Sequence, residues 1–260
     1  CISKNHPDHT KYQSNQQVTK PLICPLTQGL DTITGTSGND TINAYAFNSV
    51  TGADTTTLQS VDTIDGGAGT DTLNIEVKSN GASTPANLNG GLQGTITNVE
   101  IVNVNQTAAV TGSPIAVDAS KLGAAVTQVW QIGQSGNVTN LASTTTAGFK
   151  GISADVSAAA ATGVASVAVA LDGLADSNGG TPAATKVAVS GDALNAVKVT
   201  GTVKDGNDTG TTVDKIALAV TVGKDVQTLA VDTAVGATVT ITTDSTSTKA
   251  FTALDASAST

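Results

Sequence analysis

Arginine and methionine are absent from this 260-residue chain, and its aromatic side chains number only three Phe, two Tyr and one Trp. With so few bulky rings, any core must be built as thin layers of Val, Ile, Leu and Ala, which stacked strands provide. Histidine is confined to His6 and His9 and cysteine to Cys1 and Cys24, so nothing after residue 28 offers an imidazole or a thiol. A Ser/His/Asp or Cys/His centre would have to borrow its base from the first residues of the chain. Glutamate is limited to Glu76 and Glu100, no pattern sets paired carboxylates across a cleft, and aromatics are too scarce to line a sugar groove. We therefore expect no enzyme. All 12 basic residues are Lys against 21 acids, a net charge of −9. Nucleic acid and anionic lipid both demand basic clusters, so neither is an expected partner. The longest apolar stretch, residues 157–171, is Ala-rich and broken by Thr162 and Gly163. It is too short to span a bilayer, and no membrane span is expected.

What the chain does have is threonine, glycine and short β-branched runs. Strands are expected at Thr95–Val104, Ile115–Val117, Val126–Ile132, Val164–Leu171, Lys186–Val189, Ala196–Val203, Lys215–Val222, Val226–Val231 and Ala237–Thr242. Gly, Asn, Asp and Ser mark the intervals. The fold class is all-β, a β-solenoid or β-roll, or else a sandwich stack. The Ala-rich patch Ser157–Ala161 is expected to form a helical turn. Trp130 reads as a core or interface residue.

Residues 1–28 read as an atypical leader or linker, because they hold both cysteines, both histidines and half of the six prolines. Cys1 and Cys24 could pair, and zinc ligand types occur there without a recognised pair spacing. Residues 29–104 form a β segment with repeats, and residues 105–260 a Thr/Val/Ala-rich β region that reads as cut short at its end. The missing Met suggests a processed chain or an excised piece. Asn-x-Thr acceptors fall at Asn39, Asn105, Asn137 and Asn207.

An internal repeat carries the functional reading. Residues 30–43, L-D-T-I-T-G-T-S-G-N-D-T-I-N, align without a gap on residues 61–74, V-D-T-I-D-G-G-A-G-T-D-T-L-N, at an offset of 31. Each contains a nonapeptide of the form G-G-x-G-x-D-x-U-x, where U is a large apolar residue. Gly66–Asn74 fits completely; Gly35–Asn43 departs only at Thr36. Glycines permit tight turns whose carbonyl oxygens converge on a cation, and Asp supplies the hard anionic oxygen that Ca²⁺ prefers. Asp40 and Asp71 are the expected carboxylate ligands, with carbonyls from Gly35, Ser37, Gly66 and Ala68. Asp31 and Asp62 precede each turn and either cap it or add ligands. Asn39, Asp65 and Thr70 complete the candidate set. The competing reading makes both segments plain Gly-Asp hairpin turns without metal. Asp172–Asp176 and Asp205–Asp208 read as solvated turns.

These two frames resemble the repeats-in-toxin calcium motif, and the wording from Leu30 to about Val104 is similar to bacterial surface-layer proteins that carry it. The x-D-A-S phrases at Val117–Ser120 and Leu254–Ser259 add to that likeness. The resemblance implies Ca²⁺ as cofactor, an extracellular position on a bacterial cell surface, and other copies of the same chain as partners in a lattice or filament. Cell-surface polysaccharide is a further partner that the resemblance suggests. A calcium-rigidified β module of a secreted adhesin is the alternative.

Overall fold

The computed structural model describes residues 20–46, 56–77, 94–106, 116–134, 136–175, 186–204, 215–223, 226–243 and 252–255. The chain divides into two compact units after Val129. Among the described residues there is no α-helix, every pairing whose register is defined is parallel, and the fold is the all-β, solenoid-like class.

The first unit is a roll of short strands: β1 (Ile23–Pro25), β2 (Thr32–Thr34), β3 (Thr41–Ala46), β4 (Thr63–Asp65), β5 (Thr72–Val77), β6 (Thr95–Thr97), β7 (Ile101–Asn105) and β8 (Val117–Asp118), then a 3₁₀ turn over Ala119–Lys121. Strands β2, β4 and β6 form one sheet; β1, β3, β5 and β7 lie side by side in another. Each coil thus runs up one sheet, turns, and continues in the second. Every second residue points inward, and the inward residues stack as columns: Ile33 on Ile64 on Ile96, and Ile42 on Leu73 on Val102. All six are buried. Burying a side chain of this size is worth roughly 1.5–3 kcal/mol, so the columns supply what larger aromatics would give elsewhere.

The pairing also exposes a coil the repeat did not advertise. Thr63 pairs with Thr95 before the turn, but Thr72 pairs with Ile101 after it, so Asn98–Glu100 closes the same corner with three residues fewer. Asp118 caps the 3₁₀ turn, its Oδ1 accepting from Ser120 N and Oγ at 3.0 and 2.6 Å. That is the local chemistry of the first x-D-A-S phrase.

The chain passes from one unit to the other within β9 (Gln128–Ile132). The second unit then alternates between two sheets through β10 (Asn137–Leu141), β11 (Thr146–Lys150), β12 (Val156–Ala160), β13 (Ser166–Ala175), β14 (Lys186–Gly191), β15 (Ala196–Lys204), β16 (Lys215–Val222), β17 (Thr228–Thr233), β18 (Gly236–Thr243) and β19 (Ala253–Asp255). Even-numbered strands from β10 to β18 form one sheet and odd-numbered strands from β11 to β19 the other. Core columns again carry the packing, as in Val167 on Val197 on Val231.

One sequence expectation needs correction. The patch Ser157–Ala161 is not helical; Val156–Ala160 is strand β12, because its alternate residues Val156 and Ala158 stack beneath Val187 and Val189 and the ladder overrides alanine's helix preference. Strands β10 and β11 went unread because Asn, Thr and Gly dilute their apolar pattern. Trp130 sits on the outward, half-buried side of β9, with its indole flat over Gly148. A β-carbon at Gly148 would collide with the ring, so this glycine is required for space.

Candidate calcium site at the stacked turns

The two nonapeptide turns, residues 35–40 and 66–71, join strands of different sheets and lie one directly above the other. They are not hairpins, because β2 and β3 never pair with each other. Ala68 N donates to Thr36 O at 3.0 Å, Thr72 N to Asp40 O at 2.9 Å, and Thr70 N to the Asn39 side-chain Oδ1 at 2.9 Å. The first glycine of each turn is there for contact. A β-carbon on Gly35 would strike Gly66 O and stand 2.6 Å from Asp40 Oδ2; on Gly66 it would strike Asn98 O and stand 2.7 Å from Asp71 Oδ2. Gly67 and Gly69 are held at φ 95° and 125°, where a side chain is strained as well.

Asp40 and Asp71 are buried and belong to a carboxylate ladder that runs through the coils. Glu100 Oε2 accepts from Asp71 N at 2.7 Å, Asp71 Oδ1 from Asp40 N at 2.6 Å, and Asp40 Oδ1 from Leu22 N at 2.7 Å. Each acid satisfies the amide one coil below it. Sequence reasoning missed Glu100, which stands where the repeat would place Asp; its longer side chain reaches the same amide from a shortened turn.

The two turns differ in how the second carboxylate oxygen is used. In the lower turn Asp40 Oδ2 accepts from Thr36 N. In the upper turn the matching amide, Gly67 N, donates to Asp65 Oδ1 at 3.1 Å, and Asp65 Oδ1 also accepts from Asn98 Nδ2 at 2.8 Å. Asp71 Oδ2 is left buried with no hydrogen bond. Burial pushes the Asp71 carboxyl above the usual carboxylate range; the Asp40 amide opposes this, and the charges of Asp40, Glu100 and Asp65 add to it.

Asp31 and Asp62 occupy the other corner, before β2 and β4. Asp31 Oδ2 accepts from Thr27 N at 2.7 Å, while Asp62 accepts from Asp31 N at 3.0 Å and Gln59 N at 2.6 Å. They cap that corner. Burial raises the Asp62 pKa, against the Gln59 and Asp31 amides, and the Asp31 charge raises it further.

No family model, curated protein or solved structure matches the chain. Among the described residues no three acidic, histidine or cysteine side chains converge as a metal cluster. A cation at these turns would therefore take much of its coordination from backbone. The residues fit a hard cation on one observation, the orphaned and buried Asp71 Oδ2. Asp40 and Asp71 would hold calcium with the carbonyls of Gly35, Ser37, Gly66 and Ala68. Among the described residues none of those four carbonyls accepts a backbone hydrogen bond.

The remaining expected features are placed as follows. Cys24 is buried and disulfide-bonded; Cys1, His6 and His9 lie outside the described residues. Asp172 lies in β13 and pairs with Lys150 at 2.6 Å. Asp176, Asp205–Asp208 and Asn207 lie outside the described residues. Among the described residues no helix is long and apolar enough to cross a membrane.

Proposed function

We propose that this is a structural, self-assembling protein of a bacterial cell surface, whose β-roll is stiffened by extracellular calcium and whose copies join in a lattice or filament. The reading rests chiefly on one observation: two Gly-Asp turns stacked in register, ending in the buried and unsatisfied Asp71 Oδ2. A buried carboxylate without a partner is costly, and a divalent cation compensates it directly. Calcium affinity on the order of 10⁻⁴ to 10⁻³ M matches an extracellular module.

Self-association is supported by a sheet margin. Among the described residues β18 pairs only with β16, and no residue of β18 is fully buried. Such a margin presents backbone groups to another strand.

The experiment is sedimentation and electron microscopy of the chain in chelator and after restoring millimolar Ca²⁺. Sheets or fibres should form with Ca²⁺ and poorly with Mg²⁺, which keeps stricter geometry and dehydrates reluctantly. A monomer at high concentration in calcium would count against assembly and favour the adhesin module.

A further inference from the structure

Six strands end a ladder among the described residues: β1, β2, β6, β8, β18 and β19. Five of them are blunted. β1, β2, β6 and β19 have three residues each and β8 has two; β1 holds Pro25, β8 Asp118 and β19 Asp255. Short length, proline and charge are the devices that keep an edge from recruiting a foreign strand. β18 has none of them. Its eight residues, G-A-T-V-T-I-T-T, carry no charge and no proline, and they pair with β16 in an unbroken register from Gly236 to Thr243. The β10–β12 and β13–β15 ladders, by contrast, each shift register once. Six of the eight are β-branched, the composition of a segment that pairs readily with its own kind. Ile216–Val222 of β16 beside it is uncharged as well, so copies of a chain with net charge −9 meet no repulsion at this edge. Val239 and Ile241, stacked on Leu218 and Val220, are only half-buried because β18 ends its ladder.

We propose that β18 docks on β18 of a second copy of this chain, the two strands running antiparallel about a two-fold axis at Thr240. This rests on the self-association reading above and names its first contact. In that register Thr240 faces its own counterpart and Thr238 faces the partner's Thr242, with the threonines of both copies on one side of a continuous sheet. The contact uses backbone groups and apolar side chains, so it needs no calcium. A contact of this symmetry closes a dimer and does not propagate, so a lattice or filament requires a second, different contact. The competing cover for the edge is a segment of the same chain, which leaves the protein monomeric.

Sedimentation of the full chain in chelator, over a range of protein concentrations, should show a monomer–dimer equilibrium. Thr238→Lys/Thr242→Lys sets two like-charged pairs across the axis and should weaken the dimer about tenfold. Thr238→Lys/Thr242→Asp sets Lys opposite Asp twice and should dimerise within about threefold of the wild type. Both positions are exposed, and circular dichroism checks that each variant folds. Thr240→Lys, which sets one Lys against its own copy on the axis, serves if the first variant does not. A monomer throughout overturns the proposal, as does a dimer that no variant alters. A dimer lost in both double variants overturns the antiparallel register. Sheets or fibres in Ca²⁺ without a dimer in chelator remove this contact and leave calcium-linked assembly standing. A dimer in chelator that grows no further in Ca²⁺ keeps this contact and removes the lattice.

Discussion

Asp71 Oδ1 accepts the backbone amide of Asp40 at 2.6 Å, across 31 residues of sequence and one coil of the roll. The repeat period and the physical contact are the same fact: equivalent residues of successive coils meet, so a carboxylate conserved in position becomes the cap of its own counterpart. Under the calcium proposal the bond would also tie metal binding to folding, because the residue that would hold a cation already closes the coil below.

Substitution of Asp71 should separate these two roles. Asp71→Ala leaves the buried Asp40 amide unsatisfied and should cost about 1–3 kcal/mol even in chelator. Asp71→Asn keeps an acceptor and removes repulsion from Asp40, Glu100 and Asp65, so in chelator it should be nearly neutral or stabilising. In millimolar Ca²⁺ it should become destabilising. Urea midpoints in both conditions check this; equal losses for the two variants in chelator would defeat it.

The raised pKa values of Asp62 and Asp71 fix the sign of a pH effect in chelator. Both groups bind protons more tightly folded than unfolded, where 3.8 is the ordinary value. Their contribution is fully present below 3.8 and is lost as pH rises through the folded values. Thermal melts in chelator should therefore show Asp62→Asn/Asp71→Asn gaining on the wild type as pH rises from 4 toward 7. A gap between them that does not vary with pH would refute it.

Glycine substitutions should rank by contact. Gly66→Ala drives a methyl into the carbonyl of the next coil and should cost about 2 kcal/mol or more, the upper range of overpacking. Gly163→Ala meets nothing within 4 Å, and its φ of 76° alone should cost about 1–2 kcal/mol. Chemical denaturation of both variants gives the order, and a larger loss at Gly163 would reverse it.

An asparagine ladder on the outward side of the first unit offers a fourth test. Asn74 Nδ2 donates to Asn43 Oδ1 at 3.0 Å and Asn103 Nδ2 to Asn74 Oδ1 at 2.8 Å. Asn74→Ala breaks two bonds and Asn103→Ala one. At about 0.5–1.5 kcal/mol each, the first loss should be near twice the second in denaturant midpoints.

Trp130 gives a spectroscopic check. It is the chain's only tryptophan, and its ring covers Gly148. Gly148→Val must push the indole off the strand, so its fluorescence should shift to the red. An unshifted spectrum with a folded protein would contradict the stacking.

The sequence alone determined that this chain is all-β and that residues 30–43 and 61–74 are equivalent. Alternating apolar residues and a gapless 14-residue match are local, one-dimensional signals. It also located Asp40 and Asp71, because the nonapeptide spacing is itself the turn. Only the tertiary structure decided what those acids touch. Glu100 and Asn98 enter the corner through a coil three residues shorter, which breaks the linear repeat while the ladder keeps its register. The helical expectation at residues 157–161 failed for the same reason: alanine's preference is local, while the strand is imposed by neighbours roughly 20 and 30 residues away in the ladder. In a parallel roll, each coil is specified by its own residues but completed by the coils above and below, and that completion is invisible until they are stacked.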